Sequence, residues 1–415
     1  MRILIVDVNF EYKNPMYRQF YTALMYNMEV DFFGPGYVSR ESLEKGIGAY
    51  IFEKGKYDAV ILGTYLVYSS GEKHTRYDVY GVHRFTIPYY NVNDAYQCCG
   101  LIYKELKELK DIVKIYLYYE DFPSMPVVDR NICQELIEYK FYIMSWPMEY
   151  MQKSSHNLMH NYVCFNNYAY KFAEKYQSYY IPISLHGICC HEIFVRNFYD
   201  RKCEWCIPGN RISVYPDRTK AHKLLENINE KVWKDDPFQE LSVFSIKREH
   251  MEWYKFRNKS EKVLSWIWKK NHFISSYPKM SYIAACREQY MESMRQSKLV
   301  YAEGGIANCF VRKYFEACAC GAVLVGKKVS GMSEFGFIHD KNCIIVKDYK
   351  EILSIKKKYS NKRLEEIAKA GQTLILDKHM FVHRAKAFSA TIKAIVQGNY
   401  NGAFWEDGIY VINKK

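Results

Sequence analysis

The sequence predicts an α/β protein with two doubly wound, Rossmann-like domains that face a cleft. Apolar runs of the kind buried in parallel sheets, such as RILIVDV, alternate with helical stretches over roughly the first 190 residues. A second cycle of strands and helices follows, and 415 residues are too many for one ordinary core. We therefore expect one domain over residues 1–195 and a second over residues 196–390.

Each domain is expected to alternate strands with helices. The strands expected in the first domain are RILIVDV, EVDFFGPG, YDAVILGTY, IVKIYLYYED and FYIMSWP. Those expected in the second domain are a strand near EWCIP, then SKLVYAEGG, AVLVG and NCIIV. Residues 66–95 are polar and irregular, which predicts an active-site loop or an extra hairpin. Residues 391–415 are expected to form a helix or tail that could cross back to the first domain.

The chain is basic, with a formal net charge of +13 and an isoelectric point near 8.9. This balance favours anionic partners, namely nucleotides, nucleic acid or an anionic membrane surface. The charge alone does not choose among them, because a solvated surface explains most of the scattered lysines. The 39 tyrosines do not alternate along strands with basic residues, as an aromatic nucleic-acid platform would require. We therefore expect no nucleic-acid partner.

Cysteine usage and the lack of targeting signals predict a cytoplasmic protein. The 13 cysteines follow no repeating pattern, and no signal peptide or membrane-length apolar run is evident. We therefore expect free thiols in a reducing compartment. One Cys-x-x-Cys pair, Cys203 and Cys206, could hold zinc together with Cys189, Cys190 and His191. A second such pair is missing and the spacing is irregular, so we expect no metal.

Glycine-containing loops follow two strands of the second domain. Gly304 and Gly305 come directly after KLVYA, and Gly209 comes after the first strand. Glycine permits positive φ and lets backbone N–H groups approach a ligand, and the start of a following helix suits a phosphate. A plain tight turn is the alternative. Because ligands bind beyond the carboxyl ends of parallel strands, we expect Gly209, Gly304 and Gly305 to face a nucleotide.

Three charged residues cluster at the start of the helix that follows. Arg312 and Lys313 fall in its first turn, where a cation is mildly unfavourable unless an anion binds there. A diphosphate would explain both, and a solvated helix face is the alternative. Glu316 lies four residues after Arg312, so the two share a face. Small and apolar neighbours predict that Glu316 is partly buried and directed at a hydroxyl, such as those of a ribose.

The stretch VRKYFEACACGAVLVG, followed by SEFGFIHDKNCIIVKDYKEI and AKAGQTLILDKHMFVHRAKAF, resembles the carboxyl-terminal half of GT-B glycosyltransferases. It is most similar to the family-1-like domain of spore-maturation-type glycosyltransferases. The resemblance covers roughly residues 300–395. It implies a GT-B fold and transfer of a sugar from a nucleotide-sugar, without a metal or another cofactor.

The resemblance also implies roles for particular residues. Glu316 would bind the ribose of the donor, and Arg312, Lys313 and the glycine loop would face its diphosphate. Many retaining relatives carry a second glutamate eight positions before the first, and here that position is Asn308. An amide can bond to sugar hydroxyls but cannot act as a carboxylate. Glu303, at a strand end, and Glu334, on the loop after the following strand, are alternative contacts for the donor sugar.

Catalytic candidates come from the first domain. YLYYEDFPSMP resembles a segment of the same group and places Glu120 and Asp121 just past a strand, where a catalytic base belongs. Asp121 could equally cap a turn. Asp7 and Asn9, after the first strand, are expected to line the same cleft. His186 could reach between the domains as a catalytic residue, and a structural histidine is the alternative.

These observations predict a glycosyltransferase that binds a nucleotide-sugar on the second domain and a glycan or lipid-linked acceptor on the first. The basic charge could also place the protein at an anionic membrane surface. Two alternatives remain open. One is a nucleotide-sugar epimerase of the same fold, which would consume the donor without an acceptor. The other is a non-catalytic protein that binds nucleic acid or another anion.

Overall fold

The computed structural model describes residues 1–9, 15–69, 92–118, 127–145, 174–194, 196–209, 216–228, 230–233, 288–304 and 310–415. These residues contain two parallel β-sheets covered by helices, and one antiparallel hairpin.

The first sheet has six parallel strands in the order β2-β1-β3-β4-β5-β6. Its strands are β1 (Arg2–Val6), β2 (Glu29–Phe33), β3 (Ala59–Gly63), β4 (Val113–Leu117), β5 (Phe141–Met144) and β6 (Tyr180–Ile181). The first five are the apolar runs expected from the sequence. The chain reverses its direction of winding between β1 and β3, and such a switch point opens a crevice at the carboxyl ends of the strands.

Among the described residues, five helices connect the strands of the first sheet. They are α1 (Pro15–Met25), α2 (Arg40–Lys54), α3 (Thr64–Ser69), α4 (Val92–Glu108) and α5 (Val127–Glu138). A serine caps the start of α2: Ser39 Oγ accepts a hydrogen bond of 3.2 Å from the amide of Ser42. The loop or hairpin predicted for residues 66–95 lies mostly outside the described residues, at 70–91.

The second sheet has four parallel strands in the order β10-β9-β8-β7. Its strands are β7 (Cys203–Cys206), β8 (Ser297–Ala302), β9 (Val323–Lys327) and β10 (Ile344–Val346). Its helices are α6 (Pro216–Asn227), α7 (Arg312–Ala319), α8 (Ile352–Lys358) and α9 (Asn361–Leu374). The predicted fold class, α/β with two parallel sheets, is confirmed.

The segment after the second sheet packs against the first. Helix α10 (Phe381–Val396) lies beside α1, where the rings of Phe388 and Phe20 meet edge to face at 6.0 Å. It is followed by an antiparallel hairpin of β11 (Tyr400–Glu406) and β12 (Ile409–Lys414). The indole nitrogen of Trp405, in β11, donates a hydrogen bond of 2.7 Å to the carbonyl of Pro182, just after β6. The domain boundaries expected from the sequence remain a prediction.

The hairpin differs from the helix or tail expected for residues 391–415. Its turn contains Asp407 and Gly408, and both have positive φ, +49° and +78°. Asp-Gly is a preferred pair for such a turn, because glycine and, to a lesser extent, aspartate tolerate positive φ. The aromatic and β-branched residues on either side favour strands.

Candidate functional site

The carboxyl ends of β7, β8 and β9 meet at one edge of the second sheet. Gly209 follows β7, Glu303 and Gly304 follow β8, and Lys327 ends β9. Gly209 has a φ of +100°, which L side chains rarely adopt. A Cβ at this position would lie only 2.5 Å from Lys313 Nζ and 3.0 Å from Arg218 Nη1. The backbone of Gly209 therefore lies directly against two cationic side chains.

Both cations belong to the first turns of helices that follow strands of this sheet. Lys313, in α7, donates a hydrogen bond of 2.6 Å to the carbonyl of Pro208. Arg218, in α6, is buried, and its Nε lies 3.4 Å from Glu303 Oε1. We call Gly209, Arg218, Glu303 and Lys313 the edge cluster. Its two positive charges exceed its one carboxylate, which makes this edge suited to an anion.

Glu303 is the acidic member of the edge cluster. Burial raises the pKa of its carboxyl group, and the nearby charges of Arg218 and Lys313 partly oppose that effect. A carboxyl group with a raised pKa can bind a sugar hydroxyl as an acceptor or, when protonated, as a donor. Beside the cluster, Lys327 forms an ion pair with Asp217.

Arg312 points away from the edge cluster, although Lys313 is its neighbour in the chain. One terminal nitrogen of the buried Arg312 guanidinium donates to both carboxylate oxygens of Glu192, at 2.9 and 2.7 Å. Its Nε lies 3.3 Å from Glu316 Oε1. Arg312 and Glu316 thus share one face of α7, as their spacing predicts, and Glu316 is only 2% exposed.

Both carboxylates that face Arg312 have further partners. The hydroxyl of Tyr290, in the helical residues 288–295, donates a hydrogen bond of 2.7 Å to Glu316 Oε2. The amide of Cys189 donates one of 2.8 Å to Glu192 Oε2, and Gln19 Nε2 lies 3.5 Å from Glu192 Oε1. This buried network joins α1, the segment between the two sheets, and α7.

His186 lies next to the same network. Its amide donates a hydrogen bond of 2.8 Å to Ser184 Oγ, and its carbonyl accepts one of 3.3 Å from Arg384. Burial, together with the positive charges of Arg312 and Arg384, holds the pKa of His186 well below its ordinary value. The imidazole is therefore neutral near pH 7, which both a base and a structural histidine require.

The remaining predicted residues have other surroundings or are not described. Glu334 is half-buried, and its carboxylate accepts a hydrogen bond of 2.7 Å from the neighbouring Ser333. The predicted residues Glu120, Asp121, Gly305 and Asn308 lie outside the described residues.

Asp7, expected to line the cleft, is fully buried at the carboxyl end of β1. Its carboxylate accepts hydrogen bonds from the amides of Val8 and Leu66, at 2.9 and 3.1 Å, and from the hydroxyl of Tyr21 at 3.1 Å. These bonds tie β1 to the start of α3 and to α1, so Asp7 shapes the loops at the switch point of the first sheet.

The possible zinc ligands Cys203 and Cys206 lie on β7, and Cys206 Sγ is 3.2 Å from Ser293 Oγ. Within the described ranges, no three His, Cys, Asp or Glu side chains form a group that could hold a metal ion. The same described ranges include no helix with the length and apolar character that crossing a membrane requires.

Sequence reasoning missed three residues of the site. Arg218 could have been found from the sequence. It lies in the first turn of the helix that comes after Gly209, just as Lys313 lies in the first turn of α7. Glu192 and Tyr290 carried no such signal, because only the fold brings them to α7.

Comparison with known proteins identifies a family for part of the chain. Residues 268–390 match the family described as glycosyl transferase-like. No curated protein sequence matches the chain. The match covers β8, α7, β9 and β10, which form most of the second sheet and its edge.

Several solved structures align with most of this chain. HepE of Anabaena in complex with UDP-glucose is 12% identical, covering 95% of this chain and 100% of that one, with a TM-score of 0.47. Sucrose-phosphate synthase of Thermosynechococcus elongatus is 11% identical, covering 96% and 100%, with a TM-score of 0.48. A putative UDP-N-acetylglucosamine 2-epimerase of Listeria monocytogenes is 9% identical, covering 98% of each chain, with a TM-score of 0.40.

Similarities this distant carry no argument about the site or the reaction. The family match does bear on the sequence analysis, because it covers most of the stretch from which the resemblance was drawn. That resemblance is confirmed over residues 268–390, which match the glycosyl transferase-like family.

Proposed function

We propose that this protein is a glycosyltransferase that moves a sugar from a nucleotide-sugar donor to a hydroxyl group of an acceptor. The observation that carries the proposal is the pair of cations, Lys313 and Arg218, at the carboxyl edge of the second sheet. Lys313 lies within the part of the chain that matches the glycosyl transferase-like family. Ligands of parallel sheets bind at this edge, and the diphosphate of a nucleotide-sugar is the anionic ligand that such a transferase requires.

The edge cluster would stabilise the leaving group. In the transfer, the acceptor oxygen forms a bond to the anomeric carbon, and the bond from that carbon to the diphosphate oxygen breaks. The electron pair remains on the departing diphosphate, where Lys313 and Arg218 offset the new negative charge. The backbone of Gly209 and Gly304 lies at the same edge. Gly305 and Asn308, outside the described residues, keep their expected roles in binding the donor. Fixed cations of this kind support a reaction that needs no metal.

Other residues would hold the sugar and the ribose. Glu303, in the edge cluster, is the stronger candidate for the donor sugar, and Glu334 is the second. Glu316 would bind the two ribose hydroxyls. Tyr290 donates to Glu316 in this structure, and in the proposed complex a ribose hydroxyl takes the place of the hydroxyl of Tyr290.

A base must accept the proton of the acceptor hydroxyl. His186 is one candidate, since its imidazole is neutral, but burial and the charges of Arg312 and Arg384 lower its pKa and so weaken it as a base. Glu120 and Asp121 are the others. A purely structural role for His186 predicts that its replacement lowers stability without changing the pH profile of the rate.

The proposal is tested by a thermal-shift panel of UDP, GDP, dTDP and their sugar derivatives. A ligand that binds the native state stabilises it by RT ln(1 + [L]/Kd), so the cognate nucleotide should give the largest shift. Lys313→Ala should lose that shift. Lys298→Ala is the matched control, because Lys298 lies near the amino end of β8 in an ion pair with Glu204. No shift with any nucleotide would overturn the proposal.

The acceptor and the location are part of the same proposal. We expect a glycan, lipid-linked sugar or polysaccharide acceptor, and a cytoplasmic protein whose basic charge could hold it at an anionic membrane. Sedimentation with anionic liposomes at low salt tests the membrane contact, and no binding would remove it. Consumption of the donor without any acceptor would instead favour the epimerase alternative. Co-purifying nucleic acid without nucleotide affinity would favour the non-catalytic one.

A further inference from the structure

Glu192 and Glu316 both face the buried guanidinium of Arg312, and Glu192 lies closer to it than Glu316 does. Both carboxylates are buried, and both face the guanidinium of Arg312. Glu192 receives the close contacts, at 2.7 and 2.9 Å, whereas Glu316 has a contact of 3.3 Å with Nε. The position of Arg312 therefore determines how strongly its charge acts on Glu316.

The position of Glu192 is itself fixed by the chain between the two sheets. Glu192 ends the short 3₁₀ turn Cys190–Glu192, and its carboxylate accepts a hydrogen bond from the amide of Cys189 in the same turn. Gln19 of α1 approaches its other oxygen. Glu192 thus holds the guanidinium from the side of the first sheet.

A close pair between Arg312 and Glu316 would compete with a sugar. Charge-assisted bonds between arginine and carboxylate are short and strong, and they occupy the carboxylate oxygens that a ribose hydroxyl would use. Without the charge of Glu192, Arg312 would be left with one buried carboxylate as its counter-ion, and it would move towards Glu316. An uncompensated buried charge is costly, so this rearrangement is favoured.

We propose that Glu192 is a positioning residue that holds Arg312 back from Glu316 and so preserves the ability of Glu316 to bind the ribose of the donor. This inference rests on the proposed function, because it concerns the same nucleotide site. It assigns to the segment between the sheets a role in distinguishing ribose from 2′-deoxyribose.

A purely structural Glu192 would behave differently. If it only joined the two halves of the chain, its replacement would weaken the binding of all nucleotides by the same factor. A positioning role predicts a selective loss, confined to nucleotides with a 2′-hydroxyl. The ratio of the Kd for a 2′-deoxynucleotide to the Kd for its ribonucleotide separates these two roles.

The test is calorimetric titration of the full chain with UDP and 2′-deoxyuridine diphosphate, or with the GDP pair if GDP gives the larger thermal shift. The parent should prefer the ribonucleotide by at least about tenfold, the lower end of what a hydrogen bond to a charged group contributes. Glu192→Gln should reduce this preference to less than about threefold, because its neutral amide holds Arg312 less strongly than a charged partner does. Its amide oxygen can still accept the bond from Cys189.

Two further variants complete the test. Glu192→Asp keeps the charge on a shorter side chain, so its preference should fall between those of the parent and Glu192→Gln. It also serves as the test if Glu192→Gln does not fold. Glu135→Gln is the matched control, because Glu135 forms a 2.7 Å ion pair with Lys107 among the helices of the first sheet. Its preference should equal that of the parent.

The possible failures are distinguishable. If the parent binds nucleotides but shows no preference for ribose, or if both Glu192 variants keep the parental preference, the inference is overturned while the proposed function stands. Equal weakening of both nucleotides would also overturn it. If the parent binds no nucleoside diphosphate, the proposed function fails and the inference fails with it.

Discussion

The ammonium group of Lys313 donates a hydrogen bond of 2.6 Å to the carbonyl oxygen of Pro208, which ties the first turn of α7 to the loop after β7. The next residue in that loop, Gly209, has no Cβ to separate the ammonium from the backbone. The position of the cation therefore depends on the absence of one methyl group.

Gly209→Ala is expected to disturb the edge cluster. The new Cβ would lie 2.5 Å from Lys313 Nζ, and the φ of +100° would be strained with any side chain. We expect a loss of about 1–3 kcal/mol in the free energy of unfolding and weaker nucleotide binding. Urea denaturation and calorimetric titration measure the two effects.

Gly48→Ala is the matched control, because a Cβ at Gly48 in α2 meets no atom within 4 Å. It should keep parental nucleotide affinity and lose no stability. Normal nucleotide binding by Gly209→Ala would show that the edge cluster is not where the diphosphate binds.

Tyr290→Phe is expected to separate stability from nucleotide binding. It removes the hydroxyl that donates to Glu316 Oε2, which should lower the free energy of unfolding by about 1.5–3 kcal/mol. Since a ribose hydroxyl would take the same place, the nucleotide should bind as tightly as to the parent, or more tightly. Tyr57→Phe removes a comparable bond to Asp31 in the first sheet and should lower stability alone. Weaker nucleotide binding by Tyr290→Phe would contradict the assignment of Glu316 to the ribose.

Buried neutral histidines predict a loss of stability in acid. Burial, followed by the charge of Arg384, holds the pKa of His379 well below its ordinary value of 6.5, and burial has the same effect on His186. The unfolded chain therefore binds protons that the folded protein does not, and stability should fall as the pH drops below about 6.5. Arg384 also donates a bond of 3.0 Å to His379 Nδ1, which a protonated ring could not accept.

Urea denaturation between pH 5 and pH 8 measures this dependence. His379→Asn should make it shallower, and His191→Gln, which removes an exposed histidine, should leave it unchanged. A pH dependence of His379→Asn as steep as that of the parent would contradict the role given to His379.

Trp405→Ala is expected to be among the more destabilising changes. The indole is 3% exposed, bonds to Pro182, and lies 4.4 Å from the guanidinium carbon of Arg384. Its removal should cost about 3–5 kcal/mol in unfolding free energy. Ile409→Ala is the control, because this residue of the same hairpin is 55% exposed and should change stability by less than about 0.5 kcal/mol. Equal denaturation midpoints for the two variants would show that the hairpin contributes little.

The fold could be predicted because its signals are local. Strands such as β1 and β3 are buried on both faces and read as continuous apolar runs, and the serine cap of α2 uses neighbouring residues. The hairpin carried a signal too, in Asp407 and Gly408.

The site could be predicted only in part, because its contacts are distant in the chain. Arg312 and Glu316 could be placed on one face from the sequence alone, because residues four apart in a helix lie on the same side. The partner of Arg312 is Glu192, which is 120 residues away, and nothing local marks it. Lys313 lies at the carboxyl edge of the second sheet and contacts Pro208, whereas Arg312 contacts Glu192, so the two cations belong to different clusters.

The packing of residues 381–414 on the first sheet has a consequence for biosynthesis. Helix α10 covers α1 and the hairpin bonds beside β6, yet both elements leave the ribosome only after the whole second sheet has been made. During translation, part of the apolar surface of the first sheet therefore stays exposed until residues 381–414 have been made. A nascent chain stopped before residue 381 should therefore bind chaperones that recognise exposed apolar surface, and release should follow once the hairpin emerges.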